Sequence, residues 1–182
     1  MPFTTASLTD PESIKALAHP GRFKILVYLQ VHGPATATEC AKVALASPSA
    51  CSYHLRKLSR WGLVEEIPSD DGRERRWGAQ VQEFTWESAP GSPEQEEAAG
   101  LLSQVVLRDA VSIIASHLAR GTDRDWGRIQ SSGLLVTAAE LTDISDRVLE
   151  TVRPYFLNNR LNPPSEARLV QFLAAAAPRT GD

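Results

Sequence analysis

The sequence predicts a mainly α chain with small β elements, an α+β fold, and three observations carry that expectation. Four apolar-periodic segments follow one another between Asp10 and Trp61, each opened by a capping residue or a proline. Two short strand-like runs flank the turn signal Asp71-Gly72. A long segment rich in Leu, Val and Ile then begins at Pro93.

Asp10-Pro11-Glu12 opens the first helix, with Asp10 as N-cap and Pro11 at the first helical position, where its missing N–H costs nothing. Ile14, Leu17 and Ala18 form its apolar stripe. His19-Pro20-Gly21 breaks it, and Pro20 starts a second helix that runs through Val31 and ends at Gly33-Pro34. Thr36-Ala37-Thr38-Glu39 fits a capping box. The short third helix that follows carries Ala37, Cys40, Ala41 and Ala44 on one face. After Leu45-Ala46-Ser47, Ser47-Pro48 reads as cap and first residue of a fourth helix reaching about Trp61, with Cys51, Leu55 and Leu58 buried. Two short helices joined by a tight turn over one small-residue core describe a helix-turn-helix. Gly62 closes the fourth helix, Val64–Ile67 and Arg73–Trp77 predict a hairpin, and a hairpin directly behind a helix-turn-helix is a wing. Phe84-Thr85-Trp86 is expected to add a short third strand.

Residues 88–92 are a turn-rich linker, which gives a winged helix-turn-helix DNA-binding domain at 1–87 and a dimerisation and sensor or partner domain at 93–182. Pro93 with Glu94, Glu96 and Glu97 suits a helix start, and Ala98, Leu101, Leu102, Val105, Val106, Ile113 and Leu118 make an apolar surface up to Gly121. That surface is too broad for a lone exposed helix and predicts burial in a homodimer. Thr137-Ala138-Ala139-Glu140 is a second capping box, opening a helix to about Tyr155 with Leu141, Ile144, Val148, Leu149 and Val152 as its core face. Residues 167–177 are ambiguous, since their alanines favour helix while Leu169–Leu173 suits a strand. A strand pairing with 132–136, a two-stranded sheet, is the reading taken.

The chain of 182 residues carries a net charge of −3, unevenly spread. Residues 1–80 hold 10 Lys+Arg against 8 Asp+Glu, and residues 81–182 hold 9 against 14. Screening over about 10 Å lets the local excess govern phosphate contact. Two cysteines without a C-x-x-C spacing, no export signal and no uninterrupted apolar run of membrane-spanning length predict a cytoplasmic protein with no membrane partner.

Ile14–Leu26 (Ile-Lys-Ala-Leu-Ala-His-Pro-Gly-Arg-Phe-Lys-Ile-Leu), Ser52–Val64 (Ser-Tyr-His-Leu-Arg-Lys-Leu-Ser-Arg-Trp-Gly-Leu-Val) and Gly72–Trp77 resemble the ArsR-type winged-helix transcription regulators. The resemblance covers about residues 10–80; residues 93–182 resemble the extra domain of a longer actinobacterial subgroup. It implies a homodimer, a recognition helix in the major groove of double-stranded DNA, and release on binding a signal. Thr36 and Thr38 stand where the family's thiolate ligands would sit, and hydroxyls are poor substitutes for soft thiolates. His117 alone cannot complete the family's second, Asp/His metal site, so no metal and no cofactor is expected.

The candidate DNA-binding residues are Ser47, Ser49, Ala50, Ser52, Tyr53, His54, Arg56 and Lys57 on the fourth helix, with Arg73 and Arg75 on the wing. Short side chains near the helix start permit close approach to base edges, and Arg56 and Lys57 reach phosphates. His54 either donates to a phosphate or is a half-buried histidine bonded to backbone. Cys40 and Cys51 fall on apolar faces and read as core. Trp61, Trp77, Trp86 and Trp126 read as packing between wing and second domain rather than an effector pocket, and Asp123 and Asp125 beside His117 read as a polar loop. No phosphate loop, His/Cys cluster or nucleophile elbow is present, so no enzyme is expected. The function expected is a sequence-specific homodimeric repressor under a non-metal signal, with room for a small-molecule effector. The alternative is a winged-helix protein-interaction module that has lost DNA binding.

Overall fold

A computed structural model of the chain describes residues 5–68, 74–86, 92–121 and 131–177, leaving aside the side chains of 156–161. Strand β1 (Thr5–Leu8) is followed by α1 (Pro11–Leu17), α2 (Pro20–His32), β2 (Ala35–Thr36), α3 (Ala37–Ala44) and α4 (Pro48–Arg60). Strands β3 (Val64–Ile67), β4 (Arg76–Ala79) and β5 (Glu83–Trp86) precede two long helices, α5 (Pro93–Arg120) and α6 (Ala138–Leu161). The chain divides into two compact units, Met1–Asp109 and Ala110–Asp182.

In the first unit the helix starts follow the capping chemistry. Asp10 accepts the Ser13 N–H at 2.8 Å, and Ser47 accepts the Ala50 N–H at 3.2 Å. At α3 the capping box closes in both directions: Glu39 N–H donates to Thr36 Oγ1 at 3.2 Å, and Thr36 N–H donates to Glu39 Oε2 at 2.7 Å. The core gathers Ile14 and Leu17 of α1, Ile25, Leu26 and Leu29 of α2, Cys40 of α3 and Cys51, Leu55 and Leu58 of α4. Leu63, Val64 and Trp77 join it from the strands and Leu102 from the first half of α5. Gly62, at φ 66°, turns the chain from α4 into β3 through a left-handed conformation that suits glycine.

The strands depart from expectation in three ways. The wing hairpin forms as β3 antiparallel to β4, but β4 is Arg76–Ala79 rather than Arg73–Trp77, with Val64 opposite Ala79 and Ile67 opposite Arg76. This register buries Val64 and Trp77 together, and Gly78 admits the Ile67 side chain so closely that a Cβ there would lie 2.6 Å from Ile67 Cδ1. The Asp71-Gly72 turn lies outside the described residues. Second, Ala35–Thr36 extends the wing sheet to the order β2-β4-β3. Third, β5 does not join that sheet; it pairs in parallel with β1, Thr5 opposite Glu83 and Leu8 opposite Trp86. Phe84 and Trp86 stack at 5.9 Å, and Trp86 Nε1 donates to Ser103 Oγ of α5 at 3.1 Å. Lys15 of α1 also reaches α5, lying 3.3 Å from Glu94 and 3.9 Å from Glu97.

In the second unit Gly121, at φ 62°, follows α5. Thr137 and Glu140 close the expected capping box of α6, at 2.8 and 3.3 Å. That helix continues past Pro154 to Leu161, beyond the predicted end at Tyr155. One proline removes a single i→i−4 bond, which neighbouring turns can outlast. Residues 132–136 and 167–177 form neither strand nor helix, correcting the expected two-stranded sheet between them. Leu134, Leu135, Leu169, Val170 and Phe172 are exposed, so no apolar burial offsets the cost of ordering them. The α6 face is likewise less covered than predicted: Leu141, Val148 and Val152 are half-buried, while Ile144 and Leu149 are exposed.

Between α3 and α4, Leu45 caps α3 at φ 52° and ψ 45° with 86% of its surface exposed, a leucine where glycine would be relaxed. Leu45→Gly is expected to raise the unfolding free energy by about 1 kcal/mol, by removing the left-handed penalty of an L-residue. Leu55→Ala, which empties a fully buried site, is expected to lower it by about 2–5 kcal/mol. Denaturant midpoints at constant m-value measure both.

Candidate nucleic-acid interface

The candidate interface is built on α4. Cys51, Leu55 and Leu58 are each 0% exposed and lie on one stripe, so the rest of the helix circumference turns away from the core. Ser47, Ser49, Tyr53 and Arg56 are exposed, and Ala50, Ser52, His54 and Lys57 are half-buried. All eight predicted residues of this helix thus lie off the buried stripe. The hydroxyls are partly committed: Ser52 Oγ donates to the Pro48 carbonyl at 2.9 Å, and Ser47 Oγ lies 2.9 Å from Ser49 Oγ. Having given its own proton to the backbone, the Ser52 oxygen presents lone pairs and acts outward as an acceptor.

On the wing, Arg75 is exposed and pairs with Glu66 at 3.3 Å, and Arg73 lies outside the described residues. Arg76 turns the other way. It donates to the Pro34 carbonyl at 2.6 Å and lies 4.0 Å from Glu39, tying β4 to the entry of α3. Bonds from Thr36 hold the Glu39 carboxyl below its ordinary pKa, with a smaller push from burial the other way.

Sequence reasoning treated His19 as part of a helix break and missed its contact with α4. Its Nδ1 accepts the Gly21 N–H at 3.1 Å, which caps α2, and its ring lies 4.7 Å from the ring of His54. The adjoining Arg22 donates Nε to the Ala16 carbonyl and Nη2 to the Lys15 carbonyl, the latter at 3.2 Å. His54 is half-buried, as one of its two expected readings has it, but its Nδ1 is buried with no hydrogen-bond partner rather than bonded to backbone. Burial, then the charges of His19 and Arg22, lower the His54 pKa; burial, then Arg22, lowers that of His19. A histidine ring set against a cap two helices away leaves no local pattern in a sequence.

Trp77 is buried in the core, and Trp61 lies partly exposed at the end of α4. Trp126, Asp123 and Asp125 lie outside the described residues. Among the described residues no group of three or more His, Cys, Asp or Glu is placed to hold a metal ion. Along α5 an 18-residue window reaches a mean hydropathy of 1.5, enough by length and composition to cross a bilayer. The same helix carries Arg108 and Asp109 and buries Ala98 and Leu102 in the core of the first unit.

Residues 17–67, from the end of α1 to the end of β3, match the family model described as a helix-turn-helix domain. The match supports a DNA-binding regulator and falls on the segment that presents the α4 face. No curated protein matches the chain.

Cys40 and Cys51 are both fully buried free thiols. Burial pushes Cys40 up to about 12, with a further push from Cys51, and burial raises Cys51 as well. Thiolate, the reactive form, is thereby suppressed. A disulfide-exchange reagent at mildly alkaline pH is expected to leave both unmodified in the folded chain and to titrate both in denaturant. Fast reaction of either thiol in the folded chain would contradict their burial.

Proposed function

We propose that this chain is a sequence-specific transcription regulator of the ArsR type, a cytoplasmic homodimeric repressor that double-stranded DNA binds through α4 and the wing. The observation that carries the reading is the division of α4 into a fully buried Cys51/Leu55/Leu58 stripe and an outward side of small, polar and basic residues. A major groove about 12 Å wide admits one helix, and short side chains at its start let the backbone approach base edges. Ser47, Ser49, Ala50, Ser52 and Tyr53 would face the bases, with Ser52 accepting from an exocyclic amine. Arg56 and Lys57 would neutralise phosphates, and Arg73 and Arg75 would follow the backbone beside the wing. His54 belongs to the same face.

In this reading residues 1–87 bind the operator and residues 93–182 dimerise and receive a non-metal signal, a small-molecule effector among the candidates. Leu101, Leu107, Val111, Ile113 and Leu118 leave apolar surface exposed along α5, which a second copy would cover. A twofold dimer sets its two recognition helices on half-sites about one helical turn apart.

Arg56→Ala with Lys57→Ala is expected to weaken binding to all DNA sequences alike. It should also reduce the slope of log affinity against log salt by up to about 2, near 0.9 per lost phosphate contact. Tyr53→Ala should instead change the ranking of sequences. Fluorescence anisotropy on operator and scrambled duplexes reads both. No binding to genomic DNA at low salt would favour the protein-interaction module instead.

A further inference from the structure

Where α4 meets the start of α2, three aromatic rings pack together. The His19 and His54 rings lie 4.7 Å apart at 46°, and Tyr53 lies 5.9 Å from His54. Gly21 makes the approach possible: a Cβ there would stand 3.3 Å from His19 Cε1 and 3.7 Å from His54 Nε2. A second proton is disfavoured on both rings. His19 Nδ1 already accepts the Gly21 N–H, and His54 Nδ1 is buried without a partner. A proton on the first sets two N–H groups against each other; on the second it leaves a charged donor buried and unmatched.

One backbone hydrogen bond at His19 favours its charged form, and burial and Arg22 outweigh it. Arg22 acts on both rings and is held in place by the Lys15 and Ala16 carbonyls. On the α1 side, the Lys15 ammonium is turned to Glu94 and Glu97. On the α3 side, Glu39 is committed to Thr36 and Arg76. On the β3 side, Glu66 is paired with Arg75. On α4 itself the nearest ring is that of Tyr53.

We propose that His19 is a positioning residue for the DNA-facing helix, and that protonation of the His19–His54 pair loosens α4 from the start of α2 and weakens DNA binding in acid. The inference rests on the DNA-binding reading above. Its sign is distinctive. A histidine that meets a phosphate gains a proton on binding, so affinity rises as pH falls. Here the seated helix requires both rings neutral, so affinity falls instead. The same sign applies to folding. Both native pKa values lie below the ordinary value of about 6.5, so the unfolded chain takes up protons first. The stabilisation is complete above about pH 6.5 and is lost as pH drops through the lowered native values.

The test compares the full chain with His19→Asn, which keeps an acceptor for the α2 cap but cannot titrate. Operator affinity of the wild type is expected to fall on the order of tenfold from about pH 7.5 to 5.5. His19→Asn, which loses the ring contact with His54, should bind less tightly than wild type at the higher pH and lose less than half as much in acid. Without DNA, NMR titration of the imidazole carbons should place the His54 midpoint below the ordinary range in wild type and higher in His19→Asn. Tighter binding in acid, an unchanged pH profile in His19→Asn, or an ordinary His54 midpoint in wild type each overturns the proposal. A chain that binds no DNA at either pH overturns the preceding reading, and the NMR titration then decides the histidine contact by itself.

Discussion

The first unit is organised by the seating of α4. Cys51, Leu55 and Leu58 bury completely against α2 and α3, and Ser47 fixes where the helix begins. With its inner stripe and its start both determined, the direction of every other side chain on α4 follows from the helical period. The outward side carries Arg56 and Lys57 without a carboxylate among the residues of the helix itself. The wing depends on the same seating, because Leu63 and Val64 enter the core directly after Gly62. Arg76 then ties the returning strand to the Pro34 carbonyl at the entry of α3. Helix pair and wing are thus held by one continuous set of contacts.

What was legible in the sequence was the chemistry that closes within a few residues. Asp10, Thr36, Ser47 and Thr137 all cap the helices they were expected to cap, and Gly62 takes the left-handed turn. The buried stripe of α4 follows from spacing alone. Pairings across long stretches of chain were not legible. Strand β1 finds β5 some 78 residues away, and nothing local distinguishes Thr5–Leu8 as a strand. Thr36 was recognised as a cap but also sits in the wing sheet, a double role that periodicity does not signal. The shifted β4 shows the same limit: Trp77 and Val64 share the core, and that tertiary requirement overrides a strand boundary drawn around Arg73. His19 is the clearest case, since its partner on α4 lies 35 positions further on.

Charge has to be read by location. The chain is acidic as a whole, yet α4 carries Arg56, Lys57 and Arg60 and no carboxylate of its own. Glu39 and Glu66 engage Arg76 and Arg75, while Arg56 and Arg60 of α4 are exposed and Lys57 is half-buried. The second unit shows what remains when local signals lack tertiary cover. Thr137 starts α6 as expected, but Leu134, Leu135, Val170 and Phe172 stay exposed and 132–136 gains no strand partner among the described residues. Caps determine where helices start; packing determines whether the chain between them is ordered into anything more.

The central claim, that the outward side of α4 is the DNA-reading surface, is tested most directly by mapping which residues a bound duplex perturbs. Backbone and side-chain NMR shifts of the full chain, titrated with a duplex from its own upstream region, should change at 47–57 and at 74–76 on the wing. The Cys51, Leu55 and Leu58 side chains should be much less affected. Perturbations confined to α5 and α6, with Tyr53, Arg56 and Lys57 unmoved at saturating DNA, would contradict the account.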